Sequence, residues 1–165
     1  MSPPVMPRDY RDADAVHVNA VALAAFEQFS SQYSDWAAMS STIRRMSTLA
    51  DSGEIVVAEL EDRIVGAVAY IPPGRSKAAY FQSAWPIIRM LVVEPICRDK
   101  GVGRALTEEC LRRAKRDGSP VIALHTSPIM TVALPMYIKM AFKRQHNAHP
   151  IYDVPYAVYL KRLDA

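Results

Sequence analysis

Two glycines separated by one residue follow an apolar stretch near the middle of the chain. Gly101 and Gly103 come shortly after Leu91–Val93 and open a segment with helical periodicity. Three basic side chains lie in or beside the same turn: Arg98, Lys100 and Arg104. Glycine lets a backbone approach a ligand closely, and the first turn of a helix presents unpaired N–H groups at the positive end of its dipole. The segment therefore predicts an anion site that suits a pyrophosphate.

Two other phosphate-binding motifs do not fit this segment. A P-loop requires Gly-Lys followed by Ser or Thr, and the chain has no such run after the glycines. The dinucleotide-binding motif requires a third glycine where the chain has Leu106, within a βαβ unit. The pattern that remains is Arg-x-x-Gly-x-Gly, formed by Arg98, Gly101 and Gly103. On this pattern alone, a plain glycine-rich turn between a strand and a helix is the alternative.

The elements that position this turn follow from the apolar periodicity. Helices are predicted at 13–29, 36–49, 103–117 and 131–140. Strands are predicted at 54–60, 63–71, 87–94, 121–126, 142–146 and 155–163. The strand at 87–94 is expected to be buried on both faces, and 75–85 is expected to be a loop. This order predicts an α/β protein with a mixed central sheet flanked by helices, and 165 residues suit a single domain over 1–165.

Composition and charge limit the class of protein. The chain is 50% hydrophobic and 22% charged, with a formal net charge of +3, which is typical of a globular protein and gives no reason to expect a nucleic acid partner. The basic residues within 112–116 are offset by Glu108 and Glu109, so we expect a solvent-facing helix surface there. The apolar runs are too short for a membrane span and the N-terminus lacks the pattern of a signal peptide, so we expect a cytoplasmic protein without a membrane partner.

The cysteines and histidines give little support for a metal site or a disulfide. Cys97 and Cys110 are the two cysteines, and their spacing suggests neither a disulfide framework nor a zinc site. His146 and His149 form a His-x-x-His pair without a well-placed third ligand. No metal is therefore expected. A covalent acyl-enzyme at Cys97 is not expected either, since no nearby histidine in the sequence would activate the thiol.

The chain resembles the GNAT superfamily of acyl-CoA-dependent N-acyltransferases. The resemblance rests on the strand Leu91–Val93, on the loop from Arg98 to Gly103, and on the run Met136–Phe142. That run looks like the Tyr-x-Lys-x-Gly-Phe segment of the family, with Ala141 in place of the glycine. The fold that the resemblance implies is the GNAT-like one, with a mostly antiparallel central sheet.

The resemblance also implies how acetyl-CoA would bind as a co-substrate. The backbone of Leu91 and Val93, on either side of Val92, would pair with the pantetheine arm. The pyrophosphate would be held by the backbone N–H groups of Asp99, Lys100, Gly101, Val102, Gly103 and Arg104. Tyr137 matches the tyrosine that often protonates the departing thiolate of CoA. Many members have an asparagine seven residues before that tyrosine, where this chain has Met130.

The implied activity is transfer of an acetyl group, or another acyl group, to a primary amine by direct attack in a ternary complex. The alternative is a catalytically silent regulatory or scaffold protein that binds acyl-CoA. Some family members carry a glutamate on the central strand, but this chain has Ile87-Ile88-Arg89 there. The identity of the general base is therefore open. The candidates are Glu94, His125, Glu59 and a chain of water molecules.

The sequence does not identify the amine acceptor. We expect it to be bound by the N-terminal helices, by the 75–85 loop and by 146–155. These segments contain the aromatic residues Phe26, Phe29, Tyr33, Trp36, Tyr80, Phe81, Trp85 and Tyr152. A small amine, an amino acid and the N-terminus of a peptide all remain open as acceptors. A homodimer is a further possibility, because the last predicted strand is expected at an edge of the sheet.

Overall fold

The computed structural model describes residues 4–163, in which seven strands form one sheet and helices cover both of its faces. The strands are β1 (Met6–Asp9), β2 (Glu54–Leu60), β3 (Arg63–Ile71), β4 (Ile87–Val93), β5 (Val121–Thr126), β6 (Lys143–Asn147) and β7 (Ala157–Arg162). The helices are α1 (Ala15–Glu27), α2 (Trp36–Ile43), α3 (Val102–Arg116) and α4 (Ala133–Lys139). Short 3-10 turns occupy Asp12–Asp14, Met46–Asp51 and Pro95–Cys97. None of the helices described is long and apolar enough to cross a membrane.

The sheet has the strand order β1-β2-β3-β4-β5-β7-β6. Neighbouring strands are antiparallel except for β4 and β5, which are parallel. The predicted class, a mixed and mostly antiparallel sheet flanked by helices, is therefore confirmed. The expectation that the last strand forms an edge is wrong, because β7 lies between β5 and β6, and the polar, exposed strand β6 forms that edge.

The strands predicted at 54–60 and 63–71 have the bounds that the sequence suggested, and they form a hairpin. Its turn consists of Glu61 and Asp62, which both have positive φ angles of 53° and 63°. Two successive residues in this conformation give the backbone twist that joins antiparallel strands by a two-residue loop. Strand β1 was not predicted, since its four residues include one proline and two charged side chains.

Two apolar cores lie on opposite faces of the sheet. On one face, Val18 and Ala22 of α1 and Ile43 of α2 pack against the sheet and are almost fully buried. On the other face, Leu106 of α3 and Tyr137 of α4 pack against it. The two helical layers therefore hold the sheet between them, and the ends of α1, α3 and α4 meet near the end of β4.

Strand β4 contains an irregularity that opens the sheet. The register with β3 places two residues, Met90 and Leu91, opposite Val68 alone, and Met90 has a positive φ of 55°. An extra residue in one strand bends it and disrupts the ladder. Consistent with this, β4 and β5 share one register pair, Ile87 with Ala123. The two strands then diverge, which leaves a gap in the middle of the sheet.

Helix α3 is attached to β1 and β2 by ion pairs that Arg113 and Arg116 form with Asp9 and Glu54. Arg113 Nη1 lies 2.8 Å from Glu54 Oε1, and Arg113 Nε lies 2.9 Å from Glu109 Oε2. Arg116 Nη2 lies 2.9 Å from Glu54 Oε2. The expectation of a purely solvent-facing surface is therefore wrong for Arg113, whose side chain is only 11% exposed. These contacts help to fix the orientation of α3 on the sheet.

A buried carboxylate joins β1 to the start of α1. Asp14 accepts two hydrogen bonds from the Arg8 guanidinium, at 2.9 Å and 3.1 Å, and a third from the backbone N–H of Arg11 at 2.8 Å. The hydrogen bonds from Arg8 are the main reason that the pKa of Asp14 is lowered in the folded protein. Asp14 therefore stabilises the fold in its ionised form.

We predict that Asp14→Asn lowers the free energy of unfolding by about 2 kcal/mol, because it weakens hydrogen bonds between charged groups. The folded-state pKa lies below the unfolded value of about 4, so the contribution of Asp14 is present above that pH and is lost as the pH falls through the folded-state pKa. Urea unfolding between pH 2 and 7 measures both effects. Asp12→Asn is the matched control, because Asp12 is exposed and begins the same turn. Equal losses in the two variants would contradict the prediction.

Candidate active site

The predicted anion-binding turn leads directly into α3. Gly101 has a φ of +79° and lies immediately before Val102, the first residue of the helix. A side chain at Gly101 would be strained in this conformation, although a Cβ there would meet no atom within 4 Å. The first N–H groups of a helix have no intrahelical acceptor. The turn therefore presents the N–H groups of Val102, Gly103 and Arg104 at the positive end of a fifteen-residue helix.

Gly66 of β3 lets the start of α3 approach the sheet. A Cβ at Gly66 would lie 2.7 Å from Val102 Cγ1 and 3.0 Å from the carbonyl oxygen of Val92. Any larger residue at position 66 would therefore push α3 away from β3 and β4. The position of the anion-binding turn depends on this contact.

A cleft of about 260 Å³ lies beside the turn, and we refer to it as the donor cleft. Eight of the predicted binding residues line it: Leu91, Val93, Arg98, Asp99, Gly101, Val102, Gly103 and Arg104. Val92 is part of the strand, but its side chain is buried in the core on the α1 face. Lys100 is exposed and does not line the cleft. The C-terminal part of α1 adds Phe26 and Phe29, which the sequence suggested only for the acceptor side.

The backbone of β4 faces the gap next to this cleft. Glu94 donates its N–H to the carbonyl oxygen of Val65 at 2.8 Å, so its backbone is directed towards β3. Backbone groups alternate in direction along a strand, and those of Val93 and Leu91 are therefore directed towards the opposite edge, where β5 has diverged. An extended ligand with amide groups can pair with them there.

A second cavity of about 450 Å³ lies on the other side of β4, and we refer to it as the acceptor cavity. Residues from α1, α2, β4, β5 and α4 line it together with the segment at 150–152. The two cavities share four lining residues: Phe26, Leu91, Met130 and Ala133. They therefore meet at the bulge of β4, and a reaction between ligands in the two cavities would take place there.

Tyr137 lines the acceptor cavity near this junction. Its side chain is only 4% exposed and packs against Phe142 with the ring centres 5.5 Å apart. Within residues 4–163 its hydroxyl has no hydrogen-bond partner. Burial raises the pKa of the Tyr137 phenol above its ordinary value. Tyr137 is therefore protonated near neutral pH, and it is available to donate a proton.

His125 is the one candidate base that lines the acceptor cavity in the described part of the chain. Its Nδ1 forms a 3.1 Å hydrogen bond with the hydroxyl of Tyr80. Burial, and to a smaller extent the charge of Arg89, lowers the pKa of His125 to about 4. The imidazole is therefore neutral at pH 7. Of the carboxylates considered, Glu59 pairs with Arg8, and Glu94 lies outside the lining of this cavity.

The cysteine and histidine alternatives have ordinary structural roles. Cys97 is buried and lines the donor cleft, but no histidine in the described residues lines that cleft with it. His146 forms a 2.9 Å hydrogen bond with the carbonyl oxygen of Tyr80. Within residues 4–163, no group of three potential ligands is arranged to hold a metal ion.

The acceptor cavity differs in part from the sequence prediction. Phe26 and Tyr152 line it as expected, but no residue of the 75–85 loop that the structure describes does so. Tyr80 of that loop instead supports His125 from behind the cavity. Arg89 and Tyr156 line the cavity and were not considered as binding residues. The sequence did offer a signal for Arg89, because it is a charged residue within an otherwise apolar strand.

A comparison with protein families matches residues 19–142 to the acetyltransferase (GNAT) family. The match covers more than half of the chain, which therefore belongs to the GNAT acetyltransferase family. Transfer of an acyl group is the general chemistry of this class. A search of curated protein sequences finds no significant match.

Solved structures confirm the fold. PH1933 from Pyrococcus horikoshii OT3 aligns with a TM-score of 0.78 at 18% identity, over 98% of this chain and 100% of that one. The histone acetyltransferase HPA2 and related acetyltransferase from Corynebacterium glutamicum aligns with a TM-score of 0.73 at 23% identity, over 100% and 98%. The protein yncA from Salmonella typhimurium, solved with its cofactor acetyl-CoA, aligns with a TM-score of 0.67 at 14% identity, over 97% and 94%. At these identities the similarity defines the fold and leaves the substrates open.

Proposed function

We propose that the protein transfers an acetyl group from acetyl-CoA to a primary amine by direct attack within a ternary complex. The observation that carries this proposal is the junction of two cavities at the bulge of β4, beside a buried and protonated tyrosine. One cavity has an anion-binding helix start, and the other has a largely apolar lining suited to a small organic molecule. The family membership supports the same chemistry.

The donor cleft has the groups that acetyl-CoA requires. The N–H groups at the start of α3 suit a pyrophosphate, and Arg98 and Arg104 add positive charge at the lining. The backbone of Leu91 and Val93 is directed towards the gap and suits the amides of pantetheine. The thioester supplies an activated acyl group for attack by an amine.

In the proposed reaction, the amine nitrogen forms a bond to the carbonyl carbon of the thioester, and the bond from that carbon to sulfur breaks. Tyr137 donates its proton to the departing sulfur, so that free CoA thiol is released. The burial that raises the pKa of Tyr137 raises the basicity of a thiolate beside it as well, which keeps the transfer favourable. The proton lost by the amine is taken by water or by His125. A pKa of about 4 makes His125 a weak acceptor, and a chain of water molecules that passes the proton to bulk solvent is the other route.

A catalytically silent protein that binds acyl-CoA is the second candidate. The observation in its favour is that no carboxylate of the described residues lines the acceptor cavity. Release of free thiol from acetyl-CoA in the presence of a panel of amines distinguishes the two candidates. Binding of acetyl-CoA without thiol release for every amine would support the silent protein.

We predict that Tyr137→Phe lowers kcat by about 10²-fold or more, because the leaving thiolate loses its proton donor. The variant keeps the aromatic ring against Phe142, so the affinity for acetyl-CoA should stay unchanged. Steady-state kinetics and calorimetric titration measure the two quantities. Unchanged turnover in a folded variant would remove Tyr137 from the reaction.

We predict that Gly66→Ala lowers the affinity for acetyl-CoA by about tenfold, because the added methyl group displaces the start of α3. Gly118→Ala is the matched control at the other end of the same helix. Gly118 has a φ of +74°, so alanine is strained there, but its Cβ would meet no atom within 4 Å. The control should lose about 1 kcal/mol of stability and keep its affinity. Equal affinities in the two variants would show that the contact at Gly66 does not position the binding turn.

A further inference from the structure

Arg89 is the one charged side chain that lines the acceptor cavity among residues 4–163. It lies in β4 between Ile88 and Met90, close to the centre of the sheet. In that part of the chain its guanidinium has neither a hydrogen-bond partner nor a carboxylate in ion-pair contact. A guanidinium has five N–H donors, and those of Arg89 are exposed at the cavity and available to a ligand.

The bulge of β4 directs Arg89 into this cavity. Ile87 and Val92 pack on the α1 face of the sheet, and Ile88 packs on the α3 face. Alternation places Arg89 on the α1 face with Ile87, and the extra residue at the bulge places Met90 on that face as well. Burial is the main cause of the lowered pKa of His125 and of the raised pKa of Tyr80. The nearby positive charge of Arg89 adds to the first shift and opposes the second.

Several arginines elsewhere in the fold are held by carboxylates. Five of them form ion pairs with carboxylates: Arg8, Arg104, Arg112, Arg113 and Arg116. Arg89 is exposed, and it is the one charged residue in the described lining of the acceptor cavity, where most of the other side chains are apolar or aromatic. A charge of this kind in a concave site is suited to a ligand of opposite charge.

We propose that Arg89 binds an anionic group of the acceptor, so that the acceptor is an amine that also carries a carboxylate. This inference rests on the proposed acetyltransferase function. A planar guanidinium binds a carboxylate through two parallel hydrogen bonds, which would hold the amine in one orientation near the junction of the cavities. Polyamines and other polycationic acceptors are disfavoured, because the cavity contains a positive charge and no carboxylate in its described lining.

The rest of the lining of the acceptor cavity indicates which side chain the acceptor carries. Apolar and aromatic side chains form most of the wall, including Phe26, Met39, Ile43, Ile151 and Tyr156. A cavity of about 450 Å³ has room for a small amino acid-like molecule and its side chain. The acceptor that fits best is therefore an amino carboxylate with an apolar or aromatic side chain.

Matched pairs of amines test this proposal. Phenylalanine is compared with phenethylamine, leucine is compared with isopentylamine, and the aminophosphonate analogue of phenylalanine tests a second anion. The variants are Arg89→Met, Arg89→Lys and the control Arg112→Met, which removes an arginine on the exposed side of α3. Binding of N-acetylphenylalanine to the protein without CoA, measured by calorimetry, gives a readout that does not depend on turnover.

We expect the unaltered protein to use the carboxylated amines with a kcat/KM about 10- to 100-fold higher than their uncharged partners at equal concentrations of the free amine. Arg89→Met should remove this preference and the binding of N-acetylphenylalanine, while the KM for acetyl-CoA stays unchanged. Arg89→Lys should keep part of the preference. Lysine retains the positive charge but lacks the planar guanidinium that forms two parallel hydrogen bonds. A stronger preference for the phosphonate would also support anion recognition by Arg89 and would identify that anion as the better ligand.

Three results would overturn the proposal. The first is equal use of carboxylated and uncharged amines by the unaltered protein. The second is a preference that survives in Arg89→Met. The third is a loss of acetyl-CoA affinity in that variant, which would assign Arg89 to the donor side. A different result would separate the two proposals. If no amine causes release of CoA thiol while N-acetylphenylalanine still binds through Arg89, the acetyltransferase function is contradicted and the anion site is supported.

Discussion

The divergence of β4 from β5 is the constraint on which the rest of the site depends. The two strands are paired through a single register position, and the bulge at Met90 and Leu91 bends β4 away beyond it. Backbone N–H and C=O groups inside a protein need hydrogen-bond partners, and those of Leu91 and Val93 face a gap where a strand would otherwise lie. A ligand that carries its own amides can complete the sheet at this point. The positive φ of Met90 is consistent with backbone strain being retained at a functional position.

The two sides of the gap are built in different ways. On the donor side, one continuous segment supplies the strand, the turn and the start of α3, and Gly66 fixes that segment against β3. On the acceptor side, the lining comes from several separate parts of the chain: α1, α2, β4, β5, α4 and the segment at 150–152. The donor side is therefore suited to a constant ligand. The acceptor side can change its specificity through single substitutions, such as one at Arg89, without loss of the fold.

This difference explains how much the sequence could predict. The hairpin, β5 and the turn at Gly101 and Gly103 follow from local patterns, since each depends on neighbouring residues. The bulge at Met90 does not, because it is defined by the register with β3. Strand β1 is short and polar, and it forms only because β2 offers an edge. The positions of β6 and β7 could not be derived either, since local patterns do not set strand order.

The most direct test of this account is a crystal structure of the protein with CoA bound. We predict that the pantetheine amides pair with the backbone of Leu91 and Val93, and that the pyrophosphate lies against the N–H groups at the start of α3. The sulfur should then lie within hydrogen-bond distance of Tyr137 Oη. Pantetheine bound outside the gap between β4 and β5, or a sulfur directed away from Tyr137, would contradict the account.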